Sequence, residues 1–281
     1  MYNYVVGIIK LHKELASQIL ATIQNGNNRV MSLIAANLRQ SLTGRSARFA
    51  FCHANCLYYV CDQERKYYFG NASRGFSLYS NGLLARRHQI SLSYSINSLT
   101  FQQNDVVIDC GANYGDLWLC LDGSINPRNY ITFEPGKTEF RSLKLNAPLA
   151  RNNNIGLSNK SGLMEFFVNE RDADSSLIEP STYSEKITVT TTTLNEFVKQ
   201  QQLGVIKLLK LEAEGFEPEI LEGGAKAIRS VEFIAVDGGH ERGKNQEETL
   251  STITNNLTQQ GFEMVSMNFQ WGRALFRNSS F

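Results

Sequence analysis

The stretch Val106–Gly115, which reads Val-Val-Ile-Asp-Cys-Gly-Ala-Asn-Tyr-Gly, decides the fold of this chain. A short apolar run that ends in a glycine-rich turn and leads into a helix is typical of the first strand and helix of a doubly wound α/β sheet. The stretch Tyr130–Pro135, Tyr-Ile-Thr-Phe-Glu-Pro, indicates a second strand with a carboxylate at its end. Together the two stretches predict a sheet that binds a nucleoside cofactor at the carboxyl ends of its strands.

The spacing of the acidic residues around the turn favours one class of cofactor. Glu134 lies 19 residues after Gly115 (134 − 115), where a strand-end carboxylate can accept hydrogen bonds from ribose hydroxyls. A dinucleotide site prefers a third glycine and an open helix N-terminus for its pyrophosphate. Asp109 precedes the turn, where it would repel a phosphate but tolerate an ammonium and a sulfonium group. The pattern therefore favours S-adenosylmethionine (SAM), although a glycine-rich turn also occurs for structural reasons alone.

From Asp105 onward, apolar runs alternate with helical patterns, which predicts a seven-stranded Rossmann-like sheet of the class I methyltransferase type. A closing hairpin around Gln270-Trp271-Gly272 places an antiparallel strand in the otherwise parallel sheet. The predicted strands of this sheet are 106–110, 130–134, 154–158, 206–211, 232–236, 264–268 and 273–277. Two extra strands, 164–168 and 187–191, are predicted outside it. The predicted helices are 114–122, 137–146, 194–201, 219–228 and 247–260.

The first hundred residues predict a separate small α+β module. Helical periodicity covers 8–24 and 30–42, a hairpin is predicted over 56–69, and another helix around 85–94. The predicted domains are therefore 1–100 and 101–281. Residues 1–100 contain eleven Lys/Arg and three Asp/Glu, a net charge of +8, whereas residues 101–281 contain seventeen and twenty-four, a net charge of −7. The basic module either faces an anionic partner or attracts the acidic domain.

Composition excludes several other classes of protein. The 281 residues are 42% hydrophobic and 20% charged, with no apolar run long enough to span a membrane and no signal-peptide layout at the amino end. Five cysteines, an odd number, fit a reducing compartment, so a cytoplasmic location is expected. The segment 52–61 contains three of them with one histidine, but it lacks the paired spacing of a zinc site, and no metal is predicted. The basic runs are too short to indicate nucleic-acid binding.

A second constellation follows the predicted fourth and fifth strands. Glu212 and Glu214 alternate with apolar neighbours, so both can lie on one face of the strand end. Two close carboxylates move each other's pKa apart, which suits one of them to act as a base. Lys210 can hold a carboxylate or a substrate oxygen. His240 lies in a glycine-rich loop, where it can accept a proton at neutral pH or remain a solvated loop residue.

At these residues the chain resembles the FkbM family of SAM-dependent methyltransferases. The resemblance covers about 101–245, and its most specific part is Ile206–Gly215. Other matching segments are Val106–Gly115, Phe133–Pro135, Asp174–Leu177 and Thr190–Leu194. Many members carry Asp where this chain carries Glu212, and the longer side chain moves the carboxylate outward.

The resemblance implies roles for individual residues. Glu212 and Glu214 would lie beside the transferred methyl group. Asp174 and Ser175 would lie in the loop over the pocket. The cofactor-binding residues predicted in all are Asp109, Gly111, Ala112, Asn113, Gly115, Glu134, Pro135, Ser158, Asp174 and Ser175, and the predicted catalytic residues are Lys210, Glu212, Glu214 and His240.

The family implies methylation of a hydroxyl oxygen, and a sugar in a surface glycan or glycoconjugate is the expected acceptor. The basic amino module favours an anionic one. A peptide or a small natural product is the alternative acceptor. Two other classes stay open at this point: a non-catalytic SAM-binding partner protein and a nicotinamide oxidoreductase, against which Asp109 and the missing third glycine argue. A homodimer is possible.

Overall fold

The computed structural model describes residues 2–26, 28–169 and 175–281, with side chains described from residue 13 onward. The chain forms two compact units, Met1–Arg86 and Arg87–Phe281. The two units therefore meet between residues 86 and 87, whereas the sequence predicted a boundary between residues 100 and 101. Residues 87–100 belong to the second unit because Ile90, Tyr94 and Ile96 are buried in its hydrophobic core.

The first unit combines a helical hairpin with a small antiparallel sheet of order β1-β2-β3. Phe49, Phe69 and Phe76 pack edge to face in its core. The predicted helices and hairpin are present, whereas β1 and α3 were missed. The elements are α1 (Tyr2–Gln24), α2 (Arg29–Leu42), β1 (Arg48–Cys52), β2 (Leu57–Asp62), β3 (Arg65–Phe69) and α3 (Ala72–Leu78).

The second unit is a mixed α/β structure around a large, mostly parallel sheet, as predicted. Its helices are α4 (Leu83–Ser93, which begins before the boundary), α5 (Trp118–Leu121), α6 (Lys137–Asn146), α7 (Leu194–Gln200), α8 (Glu217–Gly223) and α9 (Leu250–Gln259). Its strands are β4 (Val107–Cys110), β5 (Tyr130–Phe133), β6 (Arg151–Asn153), β7 (Gly156–Leu157), β8 (Gly162–Val168), β9 (Glu185–Thr192), β10 (Ile206–Leu211), β11 (Val231–Asp237), β12 (His240–Arg242), β13 (Glu247–Glu248), β14 (Phe262–Asn268) and β15 (Arg273–Asn278).

Seven strands form the large sheet in the order β14-β15-β11-β10-β4-β5-β6. Strands β11, β10, β4, β5 and β6 are parallel, and β15 is antiparallel to both of its neighbours. Successive residues of the central strands enter two different hydrophobic clusters, so Ile108 and Leu209 lie in one and Val107 and Leu208 in the other. The sheet is therefore buried on both faces, which explains the continuous apolar runs.

Several predicted bounds are wrong, and each has a physical reason. The third parallel strand is β6, not 154–158, because the polar run Arg151–Asn153 sits at the sheet edge, where side chains need not be apolar. The apolar residues after it form β7, in a separate sheet of order β7-β9-β8. Helix α5 is shorter than the predicted 114–122 because Gly115 has a φ of +89° and precedes it in a turn.

Two further helices differ from the prediction at their ends. Helix α8 begins at Glu217 and ends at Gly223, followed by a separate 3₁₀ turn at Ala227–Ser230, whereas a continuous helix over 219–228 was predicted. Helix α9 begins at Leu250 because Glu247–Glu248 pairs with β12 instead of joining the helix.

In the described part of the chain, no helix combines the length and hydropathy needed to cross a bilayer. The cytoplasmic location stays a prediction.

Strand register brings charged residues to one edge of the sheet. Lys210 on β10 lies opposite Asp109 on β4. Asp237 at the end of β11 lies opposite Arg273 at the start of β15. Because β15 is antiparallel, its first residue reaches the edge where the parallel strands end. The candidate site is built at this edge.

Candidate functional site

The turn after β4 has an unusual backbone. Gly111, Asn113 and Gly115 have φ values of +69°, +49° and +89°. The Gly111 amide donates to Phe133 O at 3.0 Å, which ties the turn to β5. A Cβ on Gly111 would lie 1.7 Å from Glu212 O. Close approach of the Glu212 backbone therefore demands glycine at 111.

Glu134 binds the same turn through its carboxylate. Its Oε2 accepts from the Asn113 amide at 2.8 Å, and its Oε1 accepts from the Gly136 amide at 2.7 Å. Burial, followed by the nearby Glu139, raises the pKa of Glu134 to about 8. Asn113 Oδ1 is a buried acceptor without a hydrogen-bond partner among the described residues. The turn therefore presents carboxylate and amide oxygens that can accept further hydrogen bonds.

Five charged side chains form a network that we call the paired cluster: Asp109, Lys210, Glu212, Asp237 and Arg273. Lys210 Nζ lies 3.1 Å from Asp109 Oδ1, 2.7 Å from Glu212 Oε2 and 2.9 Å from Gly111 O. Arg273 lies 2.9 Å from Glu212 Oε1 through Nη2 and 2.6 Å from Asp237 Oδ2 through Nε. Each cation thus joins two carboxylates.

The paired cluster holds Glu212 in its ionised form. Burial raises the pKa of Glu212, but the Lys210 and Arg273 cations outweigh burial and hold it well below its ordinary value. A carboxylate of such low pKa is a weak base. Because cations engage both oxygens of Glu212, its position suits an anchoring carboxylate, and its catalytic role stays a prediction.

Asp109 is fully buried, in contrast to its predicted contact with the cofactor. Tyr130 donates its hydroxyl to Asp109 Oδ2 at 2.5 Å, and Lys210 pairs with Oδ1. Burial raises the pKa of Asp109 despite this pairing. Asp109 is thus joined to the paired cluster through Lys210, and its contact with the cofactor stays a prediction.

Tyr94 covers the cations of the paired cluster. Its ring centroid lies 4.3 Å from Arg273 Cζ and 5.8 Å from Lys210 Nζ, in cation–π contact. Ser93 Oγ, one residue earlier, accepts from Arg273 Nη1 at 2.9 Å. Burial, followed by the charge of Glu212, raises the pKa of Tyr94 well above its ordinary value, so this phenol stays neutral.

Three carboxylates beside the cluster form what we call the acid group: Glu214, Glu217 and Glu241. The carboxyl of Glu241 is hydrogen-bonded to Glu214, and burial followed by the charges of Asp237 and Glu212 raises its pKa to about 8. Glu217 is fully buried at the start of α8, where Oε1 accepts from the Ala213 amide at 2.6 Å. Burial raises the pKa of Glu217 to about 7.

The backbone around the acid group is also unusual. Glu214 has a φ of +52°, in the left-handed region that non-glycine residues rarely adopt. Ser176 Oγ donates to Glu214 O at 3.0 Å and holds this conformation from the neighbouring loop. Backbone strain of this kind is concentrated at functional sites.

His240 does not join the acid group. It is exposed and lies opposite Glu248 in the β12–β13 pair. The neighbouring Glu241 instead lies near Asp237, Glu212 and Glu214, with which it interacts electrostatically. The catalytic role of His240 stays a prediction.

The other predicted cofactor residues have mixed outcomes. Ser158 is fully buried with its hydroxyl 3.2 Å from Met164 Sδ, and its role in cofactor binding stays a prediction. Ser175 Oγ accepts from the Asn169 amide at 3.0 Å. Asp174 lies outside the described residues. Ala112 is buried with its amide donating to Phe133 O at 3.1 Å, and the roles of Pro135, Ala112 and Ser175 stay predictions.

Two aromatic side chains lie in the β14–β15 turn, and one of them contacts the paired cluster. Trp271 has its ring centroid 5.6 Å from Arg273 Cζ and is 43% exposed. Phe269 is 84% exposed. The turn is fixed to the end of β11, since the Gly238 amide donates to Gly272 O at 3.0 Å. An exposed aromatic pair thus borders the charged edge of the sheet.

Sequence reasoning did not assign roles to Tyr94, Tyr130, Asp237, Glu241 and Arg273. Asp237 and Glu241 carried a usable signal, because both follow a predicted parallel strand. Arg273 also carried one, as a cation at the start of an apolar strand. Tyr94 carried none, because it belongs to a helix end remote in sequence from every strand end.

Comparisons with known proteins identify the family. Residues 109–264, more than half of the chain, match the sequence model of the methyltransferase FkbM domain. The hexuronic acid methyltransferase AglP of Haloferax volcanii is 28% identical over 140 residues, which are 48% of this chain and 56% of AglP.

Two solved structures are also similar. The methyltransferase FkbM from Methylobacillus flagellatus aligns over 95% of this chain and 59% of its own, with 14% identity and a TM-score of 0.45. The human methyltransferase 10 domain containing protein aligns over 71% of this chain and 82% of its own, with 13% identity and a TM-score of 0.32. This chain thus spans less than two thirds of the length of AglP and of the M. flagellatus protein.

Proposed function

Because this chain belongs to the FkbM methyltransferase family, we propose that it transfers a methyl group from SAM to a hydroxyl oxygen of a sugar in a surface glycan or glycoconjugate. The observation that carries the proposal is the adjacency of two different oxygen-rich regions. The turn with Glu134 contacts the end of β10 at Gly111, and two members of the acid group, Glu214 and Glu217, follow that same strand end.

The donor side fits SAM. Glu134 has acceptor capacity beyond its two backbone amides, which suits the ribose hydroxyls. Asn113 Oδ1 is a buried acceptor that suits the ammonium group of the methionine part. We assign the seven-stranded sheet with its antiparallel β15 to the class I methyltransferase arrangement, in which such a turn holds the donor. When bound, SAM supplies an electrophilic methyl group.

The acceptor side supplies a base. A sugar hydroxyl is a weak nucleophile, so its proton must be accepted as the new O–CH₃ bond forms and the S–CH₃ bond breaks. A carboxyl of pKa about 8 is well matched to this task near neutral pH. We assign the role to Glu241, which shares its hydrogen bond with Glu214. The displacement itself requires alignment and exclusion of water rather than covalent help from the protein.

Two observations support a sugar as the acceptor. The name of AglP specifies a hexuronic acid, a sugar that carries a carboxylate. The exposed rings of Trp271 and Phe269 border the site and offer flat apolar faces of the kind that pack on the C–H face of a sugar ring. The predicted anionic acceptor is consistent with a hexuronic acid. Peptides and small natural products are the comparison acceptors.

The first test is calorimetric binding of SAM and S-adenosylhomocysteine to the wild type and to Glu134→Ala. We expect micromolar binding that Glu134→Ala weakens at least tenfold, or about 1.4 kcal/mol. Glu165→Ala, which removes a carboxylate at an exposed site, is the matched control and should bind like the wild type. Absence of binding to the wild type would reject SAM as the donor.

The second test is methyl transfer from radiolabelled SAM to uronic acid glycans, neutral glycans, sugar nucleotides and peptides. Label in the uronic acid glycans alone would support the anionic sugar. Label in peptides alone would reject the sugar. SAM binding without transfer to any acceptor would instead favour a non-catalytic partner protein.

A further inference from the structure

The helical hairpin of the first unit exposes an apolar surface that we call the apolar face. On α1, Leu15, Ile19 and Ile23 recur every four residues, and each is at least 37% exposed. On α2, Val30, Ile34, Leu38 and Leu42 recur in the same way, with Met31 beside them. An isolated exposed leucine is ordinary, but stripes of this length mark an interaction site.

The geometry of the hairpin places both stripes on one side. Arg39 Nε donates to Ser17 Oγ at 3.2 Å, and Ser32 Oγ donates to Gly26 O at 2.9 Å, so the helices run antiparallel. Gln40 Nε2 donates to Ser80 O at 2.7 Å and Ala36 is buried, so the side of α2 opposite its stripe faces the rest of the first unit. With 3.6 residues per turn, each stripe lies about a third of a turn from the contact between the helices.

On α2, the positions of the charged side chains argue against a lipid surface as the occupant of the apolar face. A helix that lies on a membrane carries Lys and Arg beside its apolar stripe. The two cations of α2 are engaged elsewhere: Arg39 bonds Ser17, and Arg29 lies 4.1 Å over the ring of Phe51. Among the residues of α2, none that carries a charge lies within the stripe.

The pattern of α2 is complementary to itself. Large apolar residues at 30, 34, 38 and 42 are spaced symmetrically, so a second α2 in antiparallel orientation presents the same series in reverse. A two-fold symmetric contact has this property, since each pair of residues occurs twice. Eight half-exposed apolar side chains amount to an area on the order of the ~800 Å² per partner that a stable interface buries.

We propose that the apolar face binds the apolar face of a second copy of this chain and forms a symmetric four-helix bundle. Ile34 of one protomer would lie opposite Leu38 of the other, with the α1 stripes closing the bundle at its sides. This inference is independent of the methyl-transfer site.

The test is the mass of the full chain in solution by sedimentation and by light scattering, at about 1 to 50 µM. We expect the wild type at twice 31.6 kDa. Ile34→Glu/Leu38→Glu should be monomeric with an unchanged circular dichroism spectrum and unchanged SAM affinity. The control is Leu149→Glu/Leu163→Glu, which adds the same charge at two other exposed leucines and should remain dimeric.

A double substitution to alanine keeps the test decisive if the variant with two glutamates misfolds. Ile34→Ala/Leu38→Ala should fold and raise the dimer dissociation constant at least about 100-fold. A monomeric wild type at the highest concentration would overturn the proposal, as would a dimer that survives either pair. A monomer that co-sediments with phosphatidylcholine–phosphatidylglycerol vesicles would overturn it in favour of a membrane.

Discussion

The paired cluster and the acid group lie side by side at one edge of the sheet, yet they treat carboxylates in opposite ways. In the paired cluster, Lys210 and Arg273 outweigh the cost of burial and keep Glu212 ionised. In the acid group, Glu241 is half-buried among other carboxylates, and its pKa rises to about 8. The comparison teaches that a paired cation decides whether a buried carboxylate stays ionised or holds its proton up to a pKa of about 8.

The largest expected effect is on turnover. Glu241→Gln keeps the shape of the side chain but cannot accept a proton, so we expect kcat to fall by about 10² to 10⁴-fold. SAM affinity should not change. In the wild type, kcat should rise with pH up to about 8, the pKa of Glu241, as this carboxyl loses its proton. The measurement is the pH profile of kcat for both enzymes.

His240→Ala is the control for that profile, because His240 is adjacent in sequence but exposed. It should retain the activity of the wild type and the same pH dependence. A Glu241→Gln variant with full activity would show that Glu241 is not the base.

The next effect is on stability. Lys210→Met leaves Asp109 and Glu212 without one of their cations inside the fold, so we expect a loss of about 3–5 kcal/mol in the free energy of unfolding. Urea denaturation measures this loss. Lys207→Met is the matched control on the same strand, because its partner Glu232 is partly exposed, and it should cost about 1 kcal/mol or less. Equal losses would mean that the paired cluster does not stabilise the fold.

A smaller loss is expected at the contact between the donor turn and the paired cluster. Gly111→Ala adds a Cβ that collides with Glu212 O at a positive φ, so we expect a loss of about 2 kcal/mol or more, with weaker SAM binding. Gly123→Ala has a φ of +83° but open space, and it should cost only about 1 kcal/mol. Thermal unfolding compares the two, and equal losses would show that the contact with Glu212 has no role.

The smallest effect is the pH dependence of stability. The pKa of Glu241 is higher in the folded state, about 8, than its ordinary value of 4.5, so the folded state binds more protons between these values. Its contribution to stability is therefore present at low pH and lost as pH rises through about 8. Glu241→Gln should flatten this decline and stabilise the protein at pH 8 by about 1 kcal/mol, discounted for partial exposure. If the free energies of unfolding of the wild type and Glu241→Gln changed with pH in parallel, this prediction would be contradicted.

Local patterns in the sequence predicted much of this molecule. The apolar runs that became β4, β5 and β10 were identified within a residue of their ends, because parallel strands buried on both faces leave a continuous apolar signal. The glycine-rich turn and Glu134 were identified for the same reason, since a strand end followed by turn residues is a local feature. The closing hairpin with its antiparallel strand was also predicted.

The sequence by itself therefore determined the kind of sheet and the edge at which its polar residues collect. Only the tertiary structure decided which charges pair: Arg273 reaches Glu212 from 61 residues away because β15 runs antiparallel beside β11. It also decided that Glu241 lies beside Glu214, whereas the adjacent His240 is exposed. Periodicity reports burial along a chain, whereas pairing depends on strand order and register, which no local pattern contains.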